Sequence, residues 1–213
     1  MRSKKINIIL KRSAELEEVL VSLFKISFHD NSARAESSKI MCSVSFEHAE
    51  SAKMLVAAGN ITSALGLVRL QYEAFVRAMW LYFAATDTAV SKLMADLTNE
   101  SAKRADRLPM LSEMLKKLEG KAPQVVLDQL LEFKEYSWKP LSSYVHGGIH
   151  AVHRHSLGYP KPLLIQALKT SNGLSIMVGM FLVILSRDQS QSGKMPKLQF
   201  DYIDCLPDFK YSF

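Results

Sequence analysis

The sequence predicts an all-α fold: a single-domain bundle of about six or seven helices over residues 1–187, followed by an extended, aromatic-containing tail over 188–213. Three observations carry this expectation. Long segments repeat apolar residues at three- and four-residue spacing, the period of one helix face. No stretch worth assigning alternates apolar and polar residues as a half-buried strand would. Apolar residues make up 48% of 213, enough to bury a core and too many for a disordered chain.

Residues 4–28 read as an amphipathic helix, with Ile6, Ile9, Leu10, Leu16, Leu20 and Leu23 on one side. His29–Ser32 is a turn rich in cap formers, and His29 reads as a solvated loop residue. A second helix, about 33–58, carries small residues such as Ser45, Ala49 and Ala52, which allow a neighbour to come close. His48 sits there beside Glu47 and reads as a surface histidine among carboxylates. Gly59-Asn60 ends that helix.

Residues 61–85 are apolar on nearly all sides, so this helix is expected at the centre. Into it are set Arg69, Glu73, Arg77 and Trp80, which fall within an arc of about 80° at 100° per residue. Glu73 is four residues from each arginine and can bridge both. Charges on a buried helix are costly unless paired. The ladder is therefore either a satisfied ion-pair set that fixes register, or a cationic face with Glu73 aiming the arginines at an anion.

Thr86 caps a short helix, and Pro109 splits the charged segment 98–121 into two short helices. The mixed charges of that segment read as a solvated face. Residues 123–139 form an amphipathic helix that Pro140 is expected to break or kink. A last long helix spans about 162–187. Its most apolar window, 174–185, is about half the length that crosses a bilayer, so it reads as a core helix.

The net charge of +6 is compatible with an acidic partner such as RNA. Cys42 and Cys205 lie far apart and outside any C-x-x-C, as expected of free thiols in a cytoplasmic protein. The apolar run 6–10 is too short for a secretory signal.

The stretch Tyr136–Tyr159 is the densest in chemistry. It holds His146, His150, His153, His155, Arg154, Trp138, Tyr144 and the Gly147-Gly148 pair. His146 follows one or two helical turns and precedes the glycines, a helix C-terminus where protonation is favoured. Three readings stand. His146, His150 and His153 have spacings that can share a metal, although no H-E-x-x-H is present. Metal-free phosphodiester chemistry needs a histidine to move protons and cations to hold phosphate. His146 with Arg69, Arg77 and Glu73 supplies both, with Tyr144 as hydrogen-bond donor and Arg154, His150 and Trp80 against substrate. The third reading is structural, with His146 bonded to Glu73 or a helix end.

R-L-Q-Y-E-A-F-V-R-A-M-W at 69–80 and S-S-Y-V-H-G-G at 142–148 give the chain, over roughly 60–190, a resemblance to a group of uncharacterised bacterial helical proteins and through them to the HEPN superfamily. That resemblance implies a small helical bundle, commonly a homodimer, and for many members a metal-independent ribonuclease without cofactor. It implies RNA as partner, an antitoxin or other defence protein beside it, and no membrane. The superfamily's active motif is an arginine followed four to six residues later by histidine. Here the local order is His150-x-x-x-Arg154, so the arginine would come from Arg69 or Arg77 on another helix, or from a second subunit.

Overall fold

The computed structural model describes residues 4–26, 30–105, 108–186 and 193–208, and these carry helices and connections with no strand among them. His29 and the aromatic residues Phe209, Tyr211 and Phe213 lie outside the described residues. In chain order the helices are α1 (Lys4–Val21), α2 (Ala33–Ala58), α3 (Ile61–Phe83), α4 (Asp87–Met94), α5 (Asn99–Ala105) and α6 (Leu111–Leu118). There follow α7 (Gln124–Phe133), α8 (Lys139–Val145), α9 (Ile149–Leu157), α10 (Lys161–Ser186) and α11 (Lys194–Asp201). Counting the unbroken run 124–145 once, the described residues hold ten helices, more than the six or seven expected.

The frame is the α2–α3 hairpin, the most extensive helix contact in the chain. Its corner is a Schellman turn. Gly59 takes the left-handed conformation at φ 88°, and Asn60 N–H reaches back to Leu55 O at 2.9 Å. Ala49 and Ala52 are buried on α2, and Ser45 Oγ donates to Gln71 O at 2.9 Å. At the other end of α3, the Arg34 guanidinium satisfies the last carbonyls, Leu81 O at 2.7 Å and Ala85 O at 2.8 Å, and pairs with Asp87.

α10 closes the bundle against α1, α2 and α3. Its 26 residues are long and apolar enough to cross a membrane by length and composition, and its most apolar window is 67% buried inside the bundle. The core face of α10 is not purely apolar. Ser171 Oγ donates to Gln71 Oε1 at 2.7 Å, and Asn172 Nδ2 donates to Ser13 Oγ and to Cys205 O. Nearby, Lys53 Nζ donates to Glu17 Oε1 in a buried ion pair between α2 and α1. Burial pushes the Glu17 carboxyl up and the Lys53 ammonium down, each against the pull of the other. Cys42 and Cys205 are free and buried, and burial raises both thiols, Cys205 to about 11.

Two expectations about punctuation change. Pro140 does not break its helix. A π turn, Lys134–Trp138, precedes it, and the wider turn takes up the missing proline N–H without ending the run. The segment expected as an extended tail is helical over Lys194–Asp201, with Pro196 in the first turn where its lost donor is harmless. Met195, Cys205 and Leu206 join the core. Arg12 clamps this end, bonding Asp204 at 3.2 Å and lying 4.4 Å over the Tyr202 ring.

The Glu17–Lys53 pair generates a stability test. Lys53→Met alone leaves a buried carboxylate and is expected to cost about 3–5 kcal/mol. Adding Glu17→Leu should recover much of that loss in a urea-denaturation cycle; additive losses would show that the two charges are not coupled.

Candidate functional site

One face of α3 organises the chemistry. Thr62, Gly66, Arg69, Glu73 and Arg77 follow each other at three- and four-residue steps, so they form one stripe along the helix. The chain from the π turn through α9 lies along the N-terminal half of that stripe. Gly66 packs against it: a Cβ there would sit 3.5 Å from Val145 Cγ2, ordinary van der Waals contact.

Arg69 is the meeting point. Its Nη1 lies 2.9 Å from His146 Nε2. Its Cζ lies 4.3 Å from the centre of the Trp138 ring, a cation–π stack. Its Nε lies 2.8 Å from Glu73 Oε1. That last pair is close enough for strong attraction, yet the N–H is not aimed at the oxygen, so neither buried atom completes a hydrogen bond. The Arg69 side chain is 12% exposed and Glu73 is 32% exposed, while His146 stands at the surface. An arginine only donates, so His146 Nε2 accepts and the ring is neutral in this bond, carrying its proton on Nδ1.

The expected double bridge forms on one side only. Glu73 pairs with Arg69, whose guanidinium is fixed by Trp138 and His146 and draws the carboxylate toward it. Arg77 is half-buried and makes no ion pair among the described residues. His48 on α2 faces the same carboxylate. Burial pushes its pKa down, and Glu47 and Glu73 oppose that shift. It is half-buried and stands among carboxylates, as its sequence neighbourhood suggests.

The HGG turn positions His146. α8 ends in a second Schellman turn, with Gly147 at φ 65° and Gly148 N–H bonded to Ser143 O at 2.8 Å. Ser143 then works twice, because its Oγ accepts from His150 N–H at 2.9 Å and caps α9. A Cβ on Gly148 would lie 2.6 Å from that Oγ. His150, His153 and His155 therefore lie on a helix, α9.

Beyond the turn is a second polar group. Tyr144 is buried, with its ring centre 6.3 Å from His150 and 6.5 Å from Tyr159. Burial raises its hydroxyl, Tyr159 adds to the shift, and Arg154 opposes it. Thr62 Oγ1 bonds the Tyr159 hydroxyl and lies 3.3 Å from His155 Nδ1. Tyr144, His150 and Arg154 thus flank His146 without joining the Arg69 cluster.

The histidines diverge. His146 turns to Arg69, His150 to Tyr144, and His153 is exposed. Among the described residues no three His, Cys, Asp or Glu side chains come together as metal ligands. Trp80 continues the α3 stripe at its far end, away from Arg69, and is 2% exposed.

The turn can be tested directly. Gly147→Ala forces a left-handed alanine and should lower the melting temperature by about 2–4 °C, near 1 kcal/mol for a chain of this size. An unchanged melting temperature would contradict the turn's geometry.

A family model described as a family of unknown function (DUF6988) matches residues 42–208. No curated protein and no solved structure matches the chain. The matched region takes in most of α2, all of α3 with its Arg69 stripe, the HGG turn and α10. The chain belongs to this family of unknown function, DUF6988.

Proposed function

We propose that the chain is a HEPN-like RNA-handling protein in which Arg69 and His146, supplied by different helices, form a metal-independent phosphodiester site. The observation that supports this reading is the 2.9 Å approach of Arg69 Nη1 to His146 Nε2 at an exposed edge. It supplies in space the arginine–histidine pair that the local sequence order lacks.

In this reading an RNA phosphate takes the Arg69 N–H away from the imidazole. Nε2 is then free to accept the proton of the adjacent 2′-hydroxyl. The 2′ oxygen attacks phosphorus and the bond to the 5′ oxygen breaks, leaving a 2′,3′-cyclic phosphate. The departing 5′ oxygen takes a proton from water, and the proton on His146 neutralises the hydroxide so formed. Arg69 stabilises the charge that develops on the phosphate. Glu73 and Trp138 hold Arg69 in place, and Arg77 offers the next cation along the stripe to a neighbouring phosphate. The same reading has the protein working in the cytoplasm as a homodimer, beside an antitoxin or other defence partner.

A second reading rests on how fully Arg69 is engaged. Stacked, paired and bonded within the protein, it could serve only to fasten α8 to α3 in a non-enzymatic interaction module.

The two separate in one assay. Labelled single-stranded RNA incubated with the protein in EDTA should be cleaved to cyclic-phosphate ends, and His146→Ala should slow cleavage by about 100-fold or more. Arg69→Ala should abolish it. No cleavage by the unaltered protein, or equal cleavage by His146→Ala, would reject the catalytic reading.

A further inference from the structure

The far end of the α3 stripe carries a separate site. Eleven residues past Arg69, about 16 Å along the helix axis, Trp80 lines a surface cleft of about 440 Å³. That volume lies within the range of small-molecule sites, roughly 300–1,000 Å³. Ala84, Ala89, Leu108 and Pro109 join Trp80 as its apolar lining. Lys92, Lys117 and Lys121 bring three ammonium groups to it from α4 and from α6 with the turn after it. Among the described residues no carboxylate lines the cleft.

Two further features point to an anion. Thr86 and Thr88 stand at the N-terminus of α4, where the helix dipole favours negative charge, although Thr86 Oγ1 caps Ala89 N–H and the Asp87 carboxylate pairs with Arg34 there. And Trp80 Nε1 is buried with no hydrogen-bond partner. A buried indole N–H without an acceptor costs free energy, about 1–3 kcal/mol for a typical unsatisfied donor, so this end of α3 carries an unmet polar demand beside the cleft. The charged segment 98–121 is thus more than the solvated face expected of it. Two of its lysines, Lys117 and Lys121, line a hollow.

We infer that this cleft binds a small organic phosphate of nucleotide size. The lysines would receive the phosphates, and the flat apolar wall beside Trp80 would take the ring. Three lining cations call for more than one negative charge. The apolar wall calls for more than inorganic phosphate. The site does not rest on the RNA reading, since it shares no residue with the Arg69–His146 pair.

ADP is the probe. Trp138→Phe leaves Trp80 as the sole tryptophan, so its emission reports the cleft, and calorimetry on the unaltered protein provides a second readout. ADP should give saturable binding by both, with pyrophosphate weaker because it has no ring. Lys117→Ala with Lys121→Ala should weaken ADP by about 10-fold or more. Arg69→Ala should leave the titration unchanged. If neither emission nor heat changes up to about 1 mM ADP, the inference is wrong. Binding that survives the double lysine substitution would overturn it equally.

Discussion

The guanidinium of Arg69 is the contact on which the site depends. A charge that is 12% exposed on a central helix must be satisfied by its surroundings. Three different groups do so together, namely the face of Trp138, the carboxylate of Glu73 and the Nε2 of His146. Each comes from a different place in the chain, so the contact ties the π turn and the HGG turn to α3 at one point. The need for a sharp, capped turn then explains Gly147, Gly148 and Ser143.

The frame that holds this point is polar where one expects only hydrocarbon. Gln71 on α3 binds Ser171 on α10, one helix face away from Arg69, and Asn172 ties α10 to α1 and to the C-terminal segment. Directional bonds of this kind fix the rotation and height of α3 against α10, which greasy packing alone leaves freer. Lys53 and Glu17 do the same between α2 and α1. A helix held in rotation keeps its stripe facing the same way. That is what gives a site assembled from α3 and the α8–α9 turn a defined geometry.

Much of this was legible in residue order. Gly59-Asn60 marked the hairpin corner because a left-handed glycine leaves a local signature. The spacing of Arg69 and Glu73 marked the stripe, and the Gly-Gly pair marked the turn that carries His146. What was not legible depends on contacts distant in sequence. α9 is started by a hydroxyl from Ser143 and has no side-chain cap at its own N-cap, Gly148, so its start carries no local signal. The helix at 194–201 is kept by burial of Met195 against the bundle, which composition does not announce. Glu73 chose one arginine of two because Trp138 and His146 had fixed that one, and nothing in the four-residue spacing distinguishes them.

Amide hydrogen exchange on Arg69→Ala tests the central claim most directly. If Arg69 fastens the α8–α9 segment to α3, exchange should quicken across residues 139–157, while the amides of α3 and α10 keep their protection. Unchanged protection across 139–157 would show that the segment is held by apolar packing and that Arg69 is not its anchor.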